Sequence, residues 1–257
     1  MKKATIIAAA FLLVALLFNN EAFAQKRKVL NMPTYDQKPY RFGFILGINQ
    51  MLFSVKTVDS LVGINWDQSQ SPDIFADSLF VQSVTSSPTP GFTIGIVGIL
   101  RLGNNTELRF VPSLSFGERL LNYSIMTYNN GDALLIEKEK SITSTTVDFP
   151  LSFIYKSKRL NNMRMYVLGG AKYSLDLASE KRKKNESSSD ISVKISKHDF
   201  ALEVGAGVDF YADLFKFGIE IKMGYGLNNL IVHEGNLYTD SIDKLNSKVF
   251  LLSFTFE

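Results

Sequence analysis

The chain contains no cysteine, one tryptophan, two histidines and seven prolines among its 257 residues. Without cysteine there is no disulfide, no thiolate metal site and no lipid attachment behind an export leader. Two histidines, His198 and His233, leave little material for acid–base chemistry. Beyond Phe18 no apolar run is long enough to cross a membrane as a helix, so a helical membrane protein is excluded for that part. Net charge is only +3, and nothing in that balance asks for nucleic acid. A metal or cofactor site has no recognisable motif.

What is present begins with a leader. Lys2 and Lys3 precede an unbroken apolar stretch from Ile6 to Phe18, followed by polar Asn19-Asn20-Glu21 and the small-residue site Ala22-Phe23-Ala24. This order predicts a signal peptide over 1–24, cut after Ala24. The competing reading, an uncleaved anchor, is disfavoured because the apolar stretch falls short of the ~18–20 residues a spanning helix needs.

The rest alternates with a period of two. Phe42, Phe44, Leu46 and Ile48 share one side of a first strand, 41–49. Phe92, Ile94, Ile96 and Leu100 do so in a second, 91–102, whose other side mixes Thr93 and Gly95 with Val97 and Ile99. A third, from Thr106 to about Ser124, sets Leu108, Phe110, Leu114 and Phe116 against Glu107, Arg109, Ser113 and Ser115. A fourth ends in 147–155, with Phe149, Leu151, Phe153 and Tyr155 against Asp148, Pro150 and Ser152. The fifth, 163–175, does not declare its faces. The sixth sets Phe200, Leu202, Val204, Val208 and Phe210 against Glu203, Gly205, Gly207 and Asp209. The seventh sets Phe217, Ile219, Ile221 and Tyr225 against Gly218, Glu220 and Lys222. The eighth carries Phe250, Leu252, Phe254 and Phe256.

The connections sort as sharply as the faces. Short ones at 103–105, 157–162 and 212–216 alternate with long ones near 57–88, 127–143, 176–197 and 228–246. Segments of about ten alternating residues joined in this way predict an all-β, eight-stranded antiparallel transmembrane β-barrel over 41–257. Its short turns lie in the periplasm and its long loops outside the cell. A periplasmic arm, 25–40, precedes it, either as a flexible tail or as a contact for a partner. The expected location is the outer membrane, with lipid and lipopolysaccharide as surroundings. A soluble lipocalin-like barrel is the rival, and it gives no reason for the loops to sort.

Charges on the polar faces are expected inside. Eight strands leave an interior roughly filled by side chains, so Glu107, Arg109, Glu203, Asp209, Glu220 and Lys222 must pair there rather than line a wide pore. For catalysis, His198-Asp199 and His233-Glu234, with Ser241 nearby, are the only candidates; no spacing marks a catalytic set, and no enzyme is expected. Lys181-Arg182-Lys183-Lys184 either meets lipid phosphates or is a solvated loop tip. Trp66 lies amid Asp67, Asp73 and Asp77, where calcium or a partner is conceivable and a mobile loop is the default.

The segment Leu30 to Lys56, LNMPTYDQKPYRFGFILGINQMLFSVK, resembles the start of the mature PorT proteins of Bacteroidetes. These share an L-N-x-P-x-Y-D-x-K stretch before an aromatic-Gly-Phe first strand. DFPLSFIYKSK (148–158) and YVLGGAKYS (166–174) look similar too but recur across the wider outer-membrane β-barrel superfamily; Arg41 stands where many relatives have His. The resemblance implies a non-enzymatic accessory of type IX secretion, the route that exports surface proteases and gliding adhesins. Its partners would be other components of that system. The alternative is a generic small barrel that binds a ligand or partner through its outer loops.

Overall fold

The structure, a computed structural model, describes residues 29–59, 61–67, 70–71, 73–129, 131–179 and 193–257. The leader over 1–24 and the basic run 181–184 lie outside them. The chain divides after Leu30, and the second unit, Asn31–Glu257, holds every strand.

Among the described residues ten strands form one antiparallel sheet: β1 Tyr40–Thr57, β2 Ser78–Ser87, β3 Thr89–Arg101, β4 Thr106–Phe110, β5 Ser113–Asn129, β6 Asp132–Lys156, β7 Met163–Asp176, β8 His198–Tyr211, β9 Lys216–Gly226 and β10 Ile242–Phe256. The ladders make a circuit. β1 pairs β10, neighbours then follow in order back to β6, β6 pairs β4 and β5, both pair β3, and β3 returns to β1. A closed circuit leaves no edge at this level, so each main-chain N–H and C=O meets a partner within the wall.

The count is ten where the sequence predicts eight, and proline accounts for much of the difference. The predicted third strand is broken at Val111-Pro112, because proline has no N–H to give the ladder. The additional strand, β2, falls inside the predicted loop 57–88 and is separated from β3 only by Pro88. The predicted loop 127–143 is also strand. β5 and β6 stay paired from Ser113↔Asp148 to Asn129↔Asp132, with Gly131 at φ +94° where the hairpin reverses. The excursion there is long, but it is built of hairpin. The short connections are short, at 102–105, 157–162 and 212–215.

The outward face carries an apolar belt of limited height. On β6 the outward positions are apolar from Tyr155 to Val147 and then turn to Thr145, Thr143, Ser141, Glu139 and Glu137. On β1 they are apolar from Tyr40 to Ile48 before Gln50, and on β10 from Phe256 to Phe250 before Lys248. The runs on β1 and β6 cover roughly 27 Å of strand and that on β10 roughly 20 Å; a tilt of ~40° reduces the longer ones to about 20 Å of height, close to a membrane's apolar band. Aromatic rings gather at its margins: Phe210, Phe215, Phe217 and Phe256 toward the short turns, and Phe92, Phe116, Phe149, Tyr173 and Phe200 toward the long connections.

Beyond the belt on the long-connection side sits an apolar core. Phe53, Leu79, Val81, Leu121, Ile125 and Ile142 from the strands pack with Leu61, Trp66 and Ile74, with Ile195, and with Leu230, Leu237 and Tyr238. A one-turn helix, α1 (Leu237–Asp240), is capped by the Asn236 side chain, which accepts from the Thr239 N–H. Where the sequence suggests a mobile loop around Trp66, the described residues Leu61, Trp66, Ile74 and Ala76 are buried in this core.

Asp73 ties this cap together. Its Oδ2 accepts from the Tyr238 hydroxyl at 2.6 Å and from Lys140 at 3.4 Å, and its Oδ1 accepts from Ser71 at 3.1 Å. Burial pushes the carboxyl up, but the Tyr238 hydroxyl, the Lys140 charge and the Ser71 hydroxyl together hold it below the ordinary carboxylate range. A carboxyl depressed on folding stabilises above its unfolded pKa, and the contribution is lost as pH falls through the folded value. The cap is thus expected to loosen below about pH 4. Emission of Trp66, the only tryptophan, should shift to the red there, and Asp73→Asn should remove that acid step. A wild-type cap whose emission is flat to pH 2 contradicts this.

Candidate functional site

The interior of the closed sheet is the site, and its side chains arrive by strand parity. Inward positions of β4 bring Glu107 and Arg109; those of β8, Glu203 and Asp209; those of β9, Glu220 and Lys222. All six are buried. Only two pairs form among them: Arg109 Nη1 to Glu220 Oε2 at 2.8 Å, and Lys222 Nζ to Glu203 Oε2 at 3.1 Å.

The other partners come from residues outside the predicted set of six. Arg41 donates to Glu107, and Lys156 Nζ lies 2.8 Å from Glu107 and 3.0 Å from Asp209. Lys216 bridges Asp209 at 3.3 Å and Glu257 at 2.6 Å. Lys172 meets Glu203 at 3.3 Å, and Asp148 accepts from Ser115 and Ser174 at 2.8 and 2.6 Å. Parity alone marked several of these: Lys156 shares a side with Asp148 and Ser152, and Lys216 with Glu220. Lys172 was hidden on the strand whose faces were undeclared. The structure turns Arg164, Tyr166, Leu168, Lys172 and Ser174 of β7 inward, and Met165, Val167 and Tyr173 outward.

The buried charges divide into two layers. Toward the short turns are Arg41, Glu107, Arg109, Lys156, Asp209, Lys216, Glu220 and Glu257; above them lie Asp148, Lys172, Glu203 and Lys222. Tyr166 stands within the first layer, its hydroxyl donating to Glu220 at 2.9 Å and its ring 5.2 Å from the Arg109 guanidinium. The ring fits because β8 has no side chain at Gly207, where an added Cβ would sit 2.4 Å from the tyrosine ring. Gly207→Val is therefore expected to cost about 1–3 kcal/mol by overpacking, measured by urea unfolding in lipid vesicles. An unchanged midpoint would show that the ring moves freely. Between the charges the structure leaves small cavities of about 30 Å³ and 20 Å³, the first beside Arg119, Asp148, Lys172 and Asp199. These hold a water or two, not a solute.

The short-turn end is stopped by the arm itself. Residues 31–38 fold as an ordered element around a 3-10 turn, Tyr35–Gln37. Asp36 accepts from Arg41 at 2.8 Å, Arg164 at 3.1 Å and the Tyr211 hydroxyl at 2.5 Å. The Asn31 N–H donates to Asn162 at 3.0 Å and its amide donates to the Tyr211 carbonyl at 3.1 Å. Arg159, stacked 3.7 Å from the Tyr211 ring, donates to the Asn31 carbonyl.

The catalytic candidates do not converge. His198 and Asp199 point to opposite faces of β8, and the His198 ring meets the Tyr173 hydroxyl at 2.6 Å. His233 lies 3.4 Å from Asp240 and is half exposed, Glu234 pairs with Lys194, and the Ser241 hydroxyl donates to the Tyr238 carbonyl. Asp67, Asp73 and Asp77 do not assemble either: among the described residues no three acidic or histidine side chains group to hold a metal.

A closed antiparallel sheet with an apolar outer belt and charges paired within it defines a membrane β-protein. The family model described as outer membrane protein beta-barrel domain matches residues 23–232. The chain belongs to that family and is an outer-membrane protein. It is similar to two solved structures. Neisserial surface protein A has 10% identity and a TM-score of 0.39, covering 85% of this chain and 98% of that one. OprG from Pseudomonas aeruginosa has 12% identity and a TM-score of 0.39, covering 84% and 94%. No curated protein matches the chain.

Proposed function

We propose that the chain is a non-enzymatic component of type IX protein secretion, acting as a scaffold in the outer membrane rather than as a conduit. In this reading the sheet is a transmembrane barrel in which β2 with β3, and β4 with β5, continue each other as single staves, giving eight around the ring. The short turns and the arm face the periplasm, and the hairpin and cap face outside. The observation that carries the proposal is the place of the PorT-like stretch. Asn31, Tyr35 and Asp36 belong to L-N-x-P-x-Y-D-x-K, and Asn31 and Asp36 are the residues that tie the arm to the short-turn end. A motif with that structural task supports membership of the PorT-like group. The layered charges below a packed cap support a scaffold, since a conduit for folded cargo needs a lumen this interior does not offer.

The test is deletion of the gene in the bacterium that carries it, with assays of secreted protease activity and gliding. Export is expected to fail and to return with the full chain. Asp36→Ala is expected to restore it only in part, with the barrel still present in the outer membrane. Intact export in the deletion strain ends the proposal.

A further inference from the structure

The circuit of ladders is closed within the belt, but not above it. Pairing of β6 with β7 stops at Thr146↔Asp176, after which the Leu177 N–H still reaches the Thr145 carbonyl at 2.8 Å. From there to Asp132, β6 is paired with β5 on one side; on the other, among the described residues, no main-chain partner covers it. Among the described residues this is a long uncovered strand edge, on a sheet whose inner face is anchored by Leu121, Tyr123, Ile125 and Ile142. Proteins usually blunt such edges.

The hairpin fixes which groups the edge presents. The Thr145 carbonyl meets the Leu177 N–H on the β7 side, so by antiparallel alternation Thr146, Ser144, Ile142 and every second residue down to Asp132 direct N–H and C=O toward β5. The positions between them, Leu135, Glu137, Glu139, Ser141 and Thr143, direct theirs to the open edge. Their side chains lie on the solvent face, where Leu135, Glu137 and Glu139 are exposed. The cross-strand neighbours of Glu137 and Glu139 are Ser124 and Asn122, which bring no countercharge.

We infer that the β6 edge, Leu135 to Thr143, takes an extended segment of a partner protein as an added strand, one with Lys or Arg at alternate positions. Main-chain groups supply the pairing, and Glu137 and Glu139 select the charge. A second copy of the same edge is disfavoured, because its glutamates would face these. The inference does not depend on the secretion role, since edge and carboxylates are present whatever system the chain serves.

The probe is a ten-residue peptide alternating Lys and Thr, with a Glu–Thr peptide of equal length as control, added to the full-length chain in detergent micelles. The Lys peptide is expected to bind and to slow amide exchange at Leu135, Glu137 and Glu139, amides that exchange quickly in the free chain. Glu137→Pro removes one outward N–H without touching the β5 ladder and should weaken binding at least tenfold. Glu137→Gln with Glu139→Gln keeps the main chain and should weaken it severalfold while flattening its salt dependence. Equal binding of the Glu peptide, no loss in both variants, no binding of the Lys peptide, or slow exchange at those amides before peptide is added would each overturn the inference.

Discussion

Replacing Glu203 by Met is expected to destabilise the folded chain by about 3–5 kcal/mol, the usual cost of leaving a buried charge without its partner. Glu203 stands between two ammonium groups, Lys172 at 3.3 Å and Lys222 at 3.1 Å, and all three side chains are buried. Without the carboxylate the two cations are left close together. Lys172 keeps the nearby Asp148, whereas Lys222 has no other ion pair among the described residues. The double variant Glu203→Met, Lys222→Met should therefore recover a large part of the loss, since a matched apolar pair often does as well as a buried ion pair. Urea unfolding in lipid vesicles, followed by migration on unheated gels, reads the wall of the sheet; Trp66 emission reads the cap separately. A single variant as stable as wild type would mean that water reaches Lys222.

The second large effect is expected on the outer face. Leu151→Arg, in the middle of the belt, should cost about 2–4 kcal/mol in a bilayer, because a cation placed there loses its hydration to acyl chains. Thr143→Arg, on the same face of the same strand but beyond the polar boundary, should change stability little. The two variants carry the same charge on one strand, so the difference between them measures the depth of the belt. Equal stability of both in vesicles would remove the membrane from that face of β6.

Periodicity made the belt legible. Phe149, Leu151, Phe153 and Tyr155 are exposed, and Asp148 and Ser152 buried, as alternation around a closed wall requires. The same parity could have named Lys156 and Lys216, which entered no candidate set because both lie at strand ends. Two local signals were also in view. Asn130-Gly131 between alternating segments is the chemistry of a two-residue hairpin, and Leu79 and Val81 alternate within the stretch read as loop. They did not stand out because outside the membrane the outward side of these strands is polar, so the alternation lacks the long apolar run of the belt.

Residue order alone, through its period of two and the spacing of its turns, determined that this chain makes antiparallel strands with one face for lipid. Each strand carries that information locally, since successive side chains point to opposite sides. Which charge meets which was decided only by tertiary structure. Register and closure set Lys156 between Glu107 and Asp209 and bring Asp36 to Arg164, over separations in sequence that no local pattern encodes.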